Sequence, residues 1–290
     1  MKPAPFEFAR PASLGEALEV LAANPGAKVL AGGQSLIPLL SMRLAAPGML
    51  VDINAISELA YVRSDDGGVR VGALARHAEV EADPDARRVQ PLLSMALRMV
   101  AHPTIRNRGT TLGSVVHADA AAEMPAVLAL LGGSVSAAST AGTRQIPAAE
   151  LFVGPMESSL RHDEIATEAF FPALRTGQGV ACEELSRRHG DYALCGVAAL
   201  VDLSEGTVKA GYFSVCDVPT VVDLGPALGT VGREPLDDDR LSAAAELALG
   251  SLEPADDIHA TADYRAQLAR TLTRRVVAAA HADALTRSTR

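Results

Sequence analysis

The chain has 290 residues, 48 % of them hydrophobic but only 3 % aromatic, with no Trp and a formal charge of −9. That length suits two domains better than one, and Ala, Val and Leu must fill their interiors. The acidic balance excludes the basic stripe of a nucleic-acid binder and works against docking on an anionic membrane.

The opening residues, Met1 to Phe8, lack the apolar segment of a secretory signal. No apolar stretch reaches the roughly 18 residues of a membrane span. Cys182, Cys195 and Cys216 stand too far apart for a C-x-x-C metal or redox motif. They read as reduced thiols in a cytoplasmic protein. Redox work by such a chain requires an organic cofactor, because no metal-ligand spacing is present.

Ser13 and Glu16 have the spacing of a capping box, and Leu14, Ala17, Leu18 and Leu21 follow at helical intervals until Pro25-Gly26. Residues 28–31 form a short strand that ends in a glycine turn. A helix over 35–44 follows, with Pro38 near its start, then a strand over 49–53. Residues 69–74 read as a strand, 90–100 as a helix, 123–131 as a helix, and 134–138 and 165–171 as strands. The polar stretch 176–179 marks a domain boundary. Beyond it come two hairpin strands, 195–203 and 208–215, around Glu205-Gly206. A helix over 241–249, capped by Asp237-Asp238-Asp239, and a long helix over about 261–284 close the chain.

The informative stretches are Ala31-Gly32-Gly33-Gln34-Ser35-Leu36 and Gly109-Thr110-Thr111-Leu112-Gly113-Ser114. Glycine lets the backbone adopt positive φ and turn successive N–H groups into one concavity. Two such turns are suited to gripping a pyrophosphate from two sides. Neither has the Lys of a phosphate loop, and neither has the G-x-G-x-x-G fingerprint with its acidic partner. A dinucleotide held mainly by backbone remains, with FAD the first candidate.

The stretches AGGQSLIPLL at 31–40, RNRGTTLGS at 106–114, HADAAAEMP at 117–125, FVGPMESSLRHDEI at 152–165 and RRHGDYALCGVA at 187–198 resemble the flavin-binding medium subunit of the molybdenum hydroxylases. That group includes carbon monoxide dehydrogenase, and its flavin domain is similar to the middle portion of xanthine dehydrogenase. The resemblance implies an α+β protein. An FAD-binding domain of the PCMH and vanillyl-alcohol-oxidase type would span 1–175, its α/β subdomains being about 1–55 and 56–175. A smaller α+β domain of the carbon monoxide dehydrogenase flavoprotein type would span 176–290. It also implies FAD as cofactor, and electrons arriving from molybdenum and iron–sulfur centres carried on other chains. The implied partners are a large molybdenum-binding subunit and a small iron–sulfur subunit, arranged as a dimer of heterotrimers.

Carried onto this sequence, the resemblance assigns Ala31, Gly32, Gly33, Gln34, Ser35 and Leu36 to the first diphosphate turn, and Thr110, Thr111, Gly113 and Ser114 to the second. Lys28 would help neutralise the diphosphate. Glu123 would accept hydrogen bonds from the ribityl chain, Ile165 would pack around the flavin ring, and Tyr192 would approach the ring from the carboxy-terminal domain. The family's second turn usually reads Thr-Ile-Gly-Gly, whereas Leu112 stands here in place of its first glycine.

Blander readings stand beside these. Ser35 is equally suited to be a helix N-cap, Glu123 to complement a helix dipole, and Tyr192 to be a core aromatic. His102 and His117 read as structural histidines. Arg187 and Arg188 are either solvated or line the flavin or a partner, and Arg106 and Arg108 are either solvated or bind the diphosphate or a partner. A flavin-free scaffold and a stand-alone nicotinamide-linked oxidoreductase are the rival functions.

Overall fold

The computed structural model describes residues 1–289; Arg290, the last residue of the expected carboxy-terminal domain, lies outside them. The first unit comprises β1 (Glu7–Ala9), α1 (Leu14–Ala23), β2 (Ala27–Leu30), α2 (Leu36–Met42) and β3 (Met49–Asp52). Its three strands form a parallel sheet with β3 in the centre. Ser13 Oγ accepts from Glu16 N, as the capping box predicts, but Glu16 reaches back to Ala12 N rather than to the cap residue. Ala17, Leu18 and Leu21 are the buried face of α1.

The second unit contains β4 (Val62–Asp65), β5 (Gly68–Gly72), α3 (His77–Ala82), α4 (Pro84–Val89), α5 (Pro91–Leu97), α6 (Pro103–Arg106), α7 (Thr111–His117) and α8 (Glu123–Leu131). It continues with β6 (Ser134–Ser139), β7 (Gly142–Pro147), α9 (Ala148–Leu151), the hairpin β8 (Phe152–Gly154) and β9 (Glu157–Ser158), and β10 (Ile165–Pro172). Five of these strands form an antiparallel sheet in the order β4-β5-β10-β6-β7. Leu92, Leu93, Ala96, Leu97, Met124, Val127 and Leu128 of α5 and α8 share one buried core with Val69, Val71, Val135 and Ala169 of that sheet. The predicted 90–100 helix is shorter: Gln90 is its N-cap, the side chain accepting from Leu92 N, and the helix ends at Leu97, ahead of a left-handed Ala101 (φ +44°).

The third unit is an antiparallel sheet of β11 (Gln178–Ser186), β12 (Ala193–Asp202), β13 (Thr207–Phe213) and β14 (Thr220–Asp223), with α10 (Gly225–Leu228), α11 (Asp238–Leu249) and α12 (Ala262–Arg287). Residues 178 and 179, expected in a flexible connection, instead begin β11, which runs antiparallel to β12 over its length. Val197, Ala199, Val201 and Tyr212 pack with Leu241, Ala244, Val276 and Ala280 of α11 and α12. The other face of the sheet meets α8, where Ala126 packs with Ala193 and Phe213. The helix α8 is therefore shared between the two larger sheets, which places its amino end at their seam.

Candidate functional site

The first glycine turn joins the end of β2 to α2. Gly33 takes φ +72°, a region glycine enters without steric cost. Gln34 Nε2 donates to Gly32 O at 3.0 Å and folds its side chain back over the turn. Ser35 heads α2, but its hydroxyl makes no cap bond. Among the described residues, the N–H groups of Gly32, Gly33, Gln34, Ser35 and Leu36 find no acceptor within the protein. Successive free amides of this kind form an anion-binding concavity.

The second turn is helical from Thr111 onward, which corrects its reading as a glycine loop. Thr110 is the N-cap of α7, its Oγ1 accepting from Gly113 N at 3.2 Å. A Cβ on Gly113 would sit 2.5 Å from that Oγ1, so the glycine makes room for the cap. Leu112 keeps ordinary helical backbone and is 1 % exposed, packed in the core beneath the turn. Its departure from the family pattern therefore puts no strain on the chain. Thr111 is buried, with its N–H on Ala75 O at 3.2 Å and its hydroxyl beside His77 Nδ1 at 3.2 Å. Its polar groups anchor the turn and face no cleft. His77 is itself held neutral, its pKa lowered to about 4 by burial and then by the Arg106 charge.

The two turns abut. A Cβ on Gly32 would lie 2.5 Å from Arg108 O, 2.7 Å from Gly109 Cα and 2.9 Å from Thr110 N, all of them backbone atoms. A polar chain that the sequence reading missed staples them. Asp52 Oδ1 accepts from Asn54, whose Nδ2 donates to Ala31 O at 2.8 Å. Asn54 Oδ1 accepts from Arg76 Nη2 at 2.8 Å, and Arg76 Nη1 donates to Arg108 O at 2.6 Å. Asp52-Ile53-Asn54 at the end of a predicted strand was the available signal; nothing in the sequence marked Arg76.

Lys28 is exposed on β2, and its charge reaches His117 at the end of α7. Burial first, opposed by Asp119 and assisted by Lys28, lowers the His117 pKa. Glu123, the first residue of α8, is buried, and its pKa is raised to about 8. Burial is the main cause, then the Glu184 carboxylate, opposed by Glu123's own amide. Glu184 on β11 is raised to about 7 by burial, and its Oε2 has no hydrogen-bond partner among the described residues. The Cys182 thiol is pushed up by burial and then by the Glu184 and Glu123 charges. Tyr192 keeps 67 % of its surface exposed just before β12. Local burial and the carboxylates of Asp119 and Glu123 raise its pKa, so the three groups share one neighbourhood. Ile165 is enclosed in the core at the start of β10, opposite Ala138.

Arg106 is a structural residue and does not line the cleft. It pairs with Glu81 at 2.9 Å and donates to Val100 O and Ala101 O. Arg108 is exposed and meets the first turn through its carbonyl. Arg187 donates to His259 O on the carboxy-terminal side.

A row of free backbone amides where the two turns abut suits a phosphate-bearing ligand of the dinucleotide class. Comparison with known proteins gives the family. The FAD binding domain in molybdopterin dehydrogenase matches residues 4–174, and the CO dehydrogenase flavoprotein C-terminal domain matches residues 181–280. The chain belongs to the family of FAD-binding medium subunits of molybdenum hydroxylases. It is 42 % identical to the 6-hydroxypseudooxynicotine dehydrogenase complex subunit alpha of Paenarthrobacter nicotinovorans, over 97 % of this chain and 96 % of that one. It is 39 % identical to the caffeine dehydrogenase subunit beta of Pseudomonas sp. strain CBB1, over 97 % and 96 %. Among solved structures, quinoline 2-oxidoreductase from Pseudomonas putida 86 superposes with a TM-score of 0.91 at 37 % identity, covering 98 % of this chain and all of that one. No helix among the described residues is long and apolar enough to cross a membrane.

Proposed function

We propose that this chain is the electron-transfer subunit of a cytoplasmic, multi-subunit molybdenum-dependent dehydrogenase or hydroxylase. In this reading the large partner carries molybdenum and oxidises the substrate, and the small partner carries the iron–sulfur clusters. The complex is a dimer of heterotrimers. Residues 1–175 form its FAD-binding domain and residues 176–290 the smaller second domain. The flavin supplies the redox chemistry, accepting electrons from the clusters and passing them to an external acceptor.

This chain's own residues bind and orient that group. Free amides of Gly32, Gly33, Gln34, Ser35 and Leu36 face the diphosphate, supported by the Lys28 charge, by Thr110 and by the hydroxyl of Ser114. Gly113 and Thr111 shape and anchor the second turn. Glu123 holds the ribityl chain, Tyr192 flanks the ring, and Ile165 backs it from the core. The observation that carries the reading is the abutment of the two turns through Gly32, which leaves a row of amides without internal acceptors.

Purified protein is expected to be yellow, with flavin bands at about 370 and 450 nm. A colourless preparation that FAD cannot reconstitute would instead favour a flavin-free scaffold. Arg76→Ala unlinks Ala31 from Arg108, leaving Asn54 Oδ1 and Arg108 O without their donor. A fluorescence titration of the apoprotein should then read an FAD Kd about tenfold higher, the cost of losing a charged hydrogen bond that preorganises a site.

A further inference from the structure

Five non-glycine residues among those described have positive φ, and three of them meet at one loop. That loop, residues 118–122, joins α7 to α8 and carries Asp119, four residues before Glu123. Ala118 itself is left-handed at φ +54°. Its carbonyl accepts from the N–H of Met156 (φ +56°), at the tip of the β8–β9 hairpin, at 3.0 Å. Two residues on, Ala120 O accepts from the N–H of Ser214 (φ +61°) at 2.7 Å.

Ser214 follows β13, in a different sheet from the loop it holds. Its hydroxyl donates to Ala193 O at 2.5 Å, the residue directly after Tyr192. One serine therefore ties two segments that are far apart in the chain. Its amide fixes the loop ahead of Glu123, and its hydroxyl fixes the start of the strand behind Tyr192. Left-handed backbone is sterically unfavourable for a non-glycine residue, and such residues gather where geometry must be held. Glycine would relieve that cost but would supply no hydroxyl for Ala193.

We infer that Ser214 is a positioning residue, setting Tyr192 of one domain, at the flavin ring, against the Asp119–Glu123 segment of the other, at the ribityl chain. This rests on the FAD reading above, because it takes Glu123 and Tyr192 as the groups that meet the flavin.

The test compares the full-length apoprotein, and the same protein loaded with FAD, for wild type, Ser214→Gly and Ser214→Ala. Ser214→Gly keeps the amide bond to Ala120 and relaxes the backbone, so its Tm should stay close to wild type. Losing the hydroxyl bond should speed amide exchange of residues 192–194 by about fivefold while 118–122 keep their protection. In loaded protein the flavin's bound fluorescence yield and reduction potential should shift, since the ring loses a fixed Tyr192. Ser214→Ala should show the same exchange and flavin changes with a lower Tm. Unchanged exchange at 192–194, with unchanged flavin fluorescence in protein that does bind FAD, would overturn the inference. Faster exchange at 192–194 in the two variants, with a wild-type protein that does not bind FAD, would instead overturn the flavin reading and leave the tether standing.

Discussion

Gly32→Ala should abolish FAD binding: the variant purifies colourless, and titration with FAD finds an affinity at least a hundredfold weaker than wild type. The added Cβ would lie within 2.9 Å of three atoms, Arg108 O, Gly109 Cα and Thr110 N, and none belongs to a side chain that can rotate away. Relief requires the two turns to separate, and both are pinned. Ala31 O and Arg108 O are held through Asn54 and Arg76, while Gly109 O is held by His77 N at 3.0 Å. A loss of this size, about 3 kcal/mol, is ordinary for overpacking against rigid neighbours. Gly48→Ala serves as the control, because a Cβ there meets nothing within 4 Å and should leave both binding and stability unchanged. Full FAD affinity in Gly32→Ala would mean that the turns do not act as one cradle.

Glu123→Gln should stabilise the apoprotein at alkaline pH while weakening its hold on FAD there. Burial, with the neighbouring Glu184 carboxylate, raises the Glu123 pKa to about 8 from an ordinary 4.5. The folded chain therefore keeps a proton that the unfolded chain releases. The unfolded state binds fewer protons between those values, so stability falls as pH rises. The contribution is complete below about pH 4.5 and lost as pH climbs through 8. Glu184, raised to about 7, adds to the slope in the same direction.

The neutral amide of the variant removes the ionisation. Its Tm should match wild type near pH 5 and exceed it at pH 8.5 by about 5 °C, on the order of 2 kcal/mol. If Glu123 accepts hydrogen bonds from the ribityl hydroxyls, its ionised form is the stronger acceptor. FAD affinity of the variant should then fall about tenfold at pH 8.5 and change little at pH 6. Calorimetry across pH and fluorescence titration at the two pH values check both halves. Parallel Tm curves for the two proteins would show that Glu123 does not carry the proton.

Elements were legible where local pattern and tertiary packing agree. The α8 boundaries, the hairpin around Glu205-Gly206 and the caps at Ser13 and Asp237 follow from periodicity and turn chemistry. The strand β11 escaped notice because Glu183 and Glu184 stand in succession, which breaks alternation, and because its start lies in a glycine-bearing stretch that resembles a linker. The helices α3 and α4 were missed for a related reason. Each has only six residues, too few for an amphipathic repeat to declare itself.

The sequence by itself determined the bend at Gly33, since left-handed backbone there is a requirement that glycine meets without steric cost, whereas the crowding at Gly32 comes from the distant residues 108–110. It also carried the family, through motifs spread along nearly the whole chain. Tertiary structure decided that Thr110 starts a helix, that Leu112 is core, and that Arg76 and Asn54 weld the turns. It also set Glu184 beside Glu123 and tied both Tyr192 and the Glu123 loop to Ser214. Apart from the local Thr110 cap, each of those facts joins residues from different elements, and spacing along a chain carries no information about which distant carbonyl or carboxylate a side chain will meet.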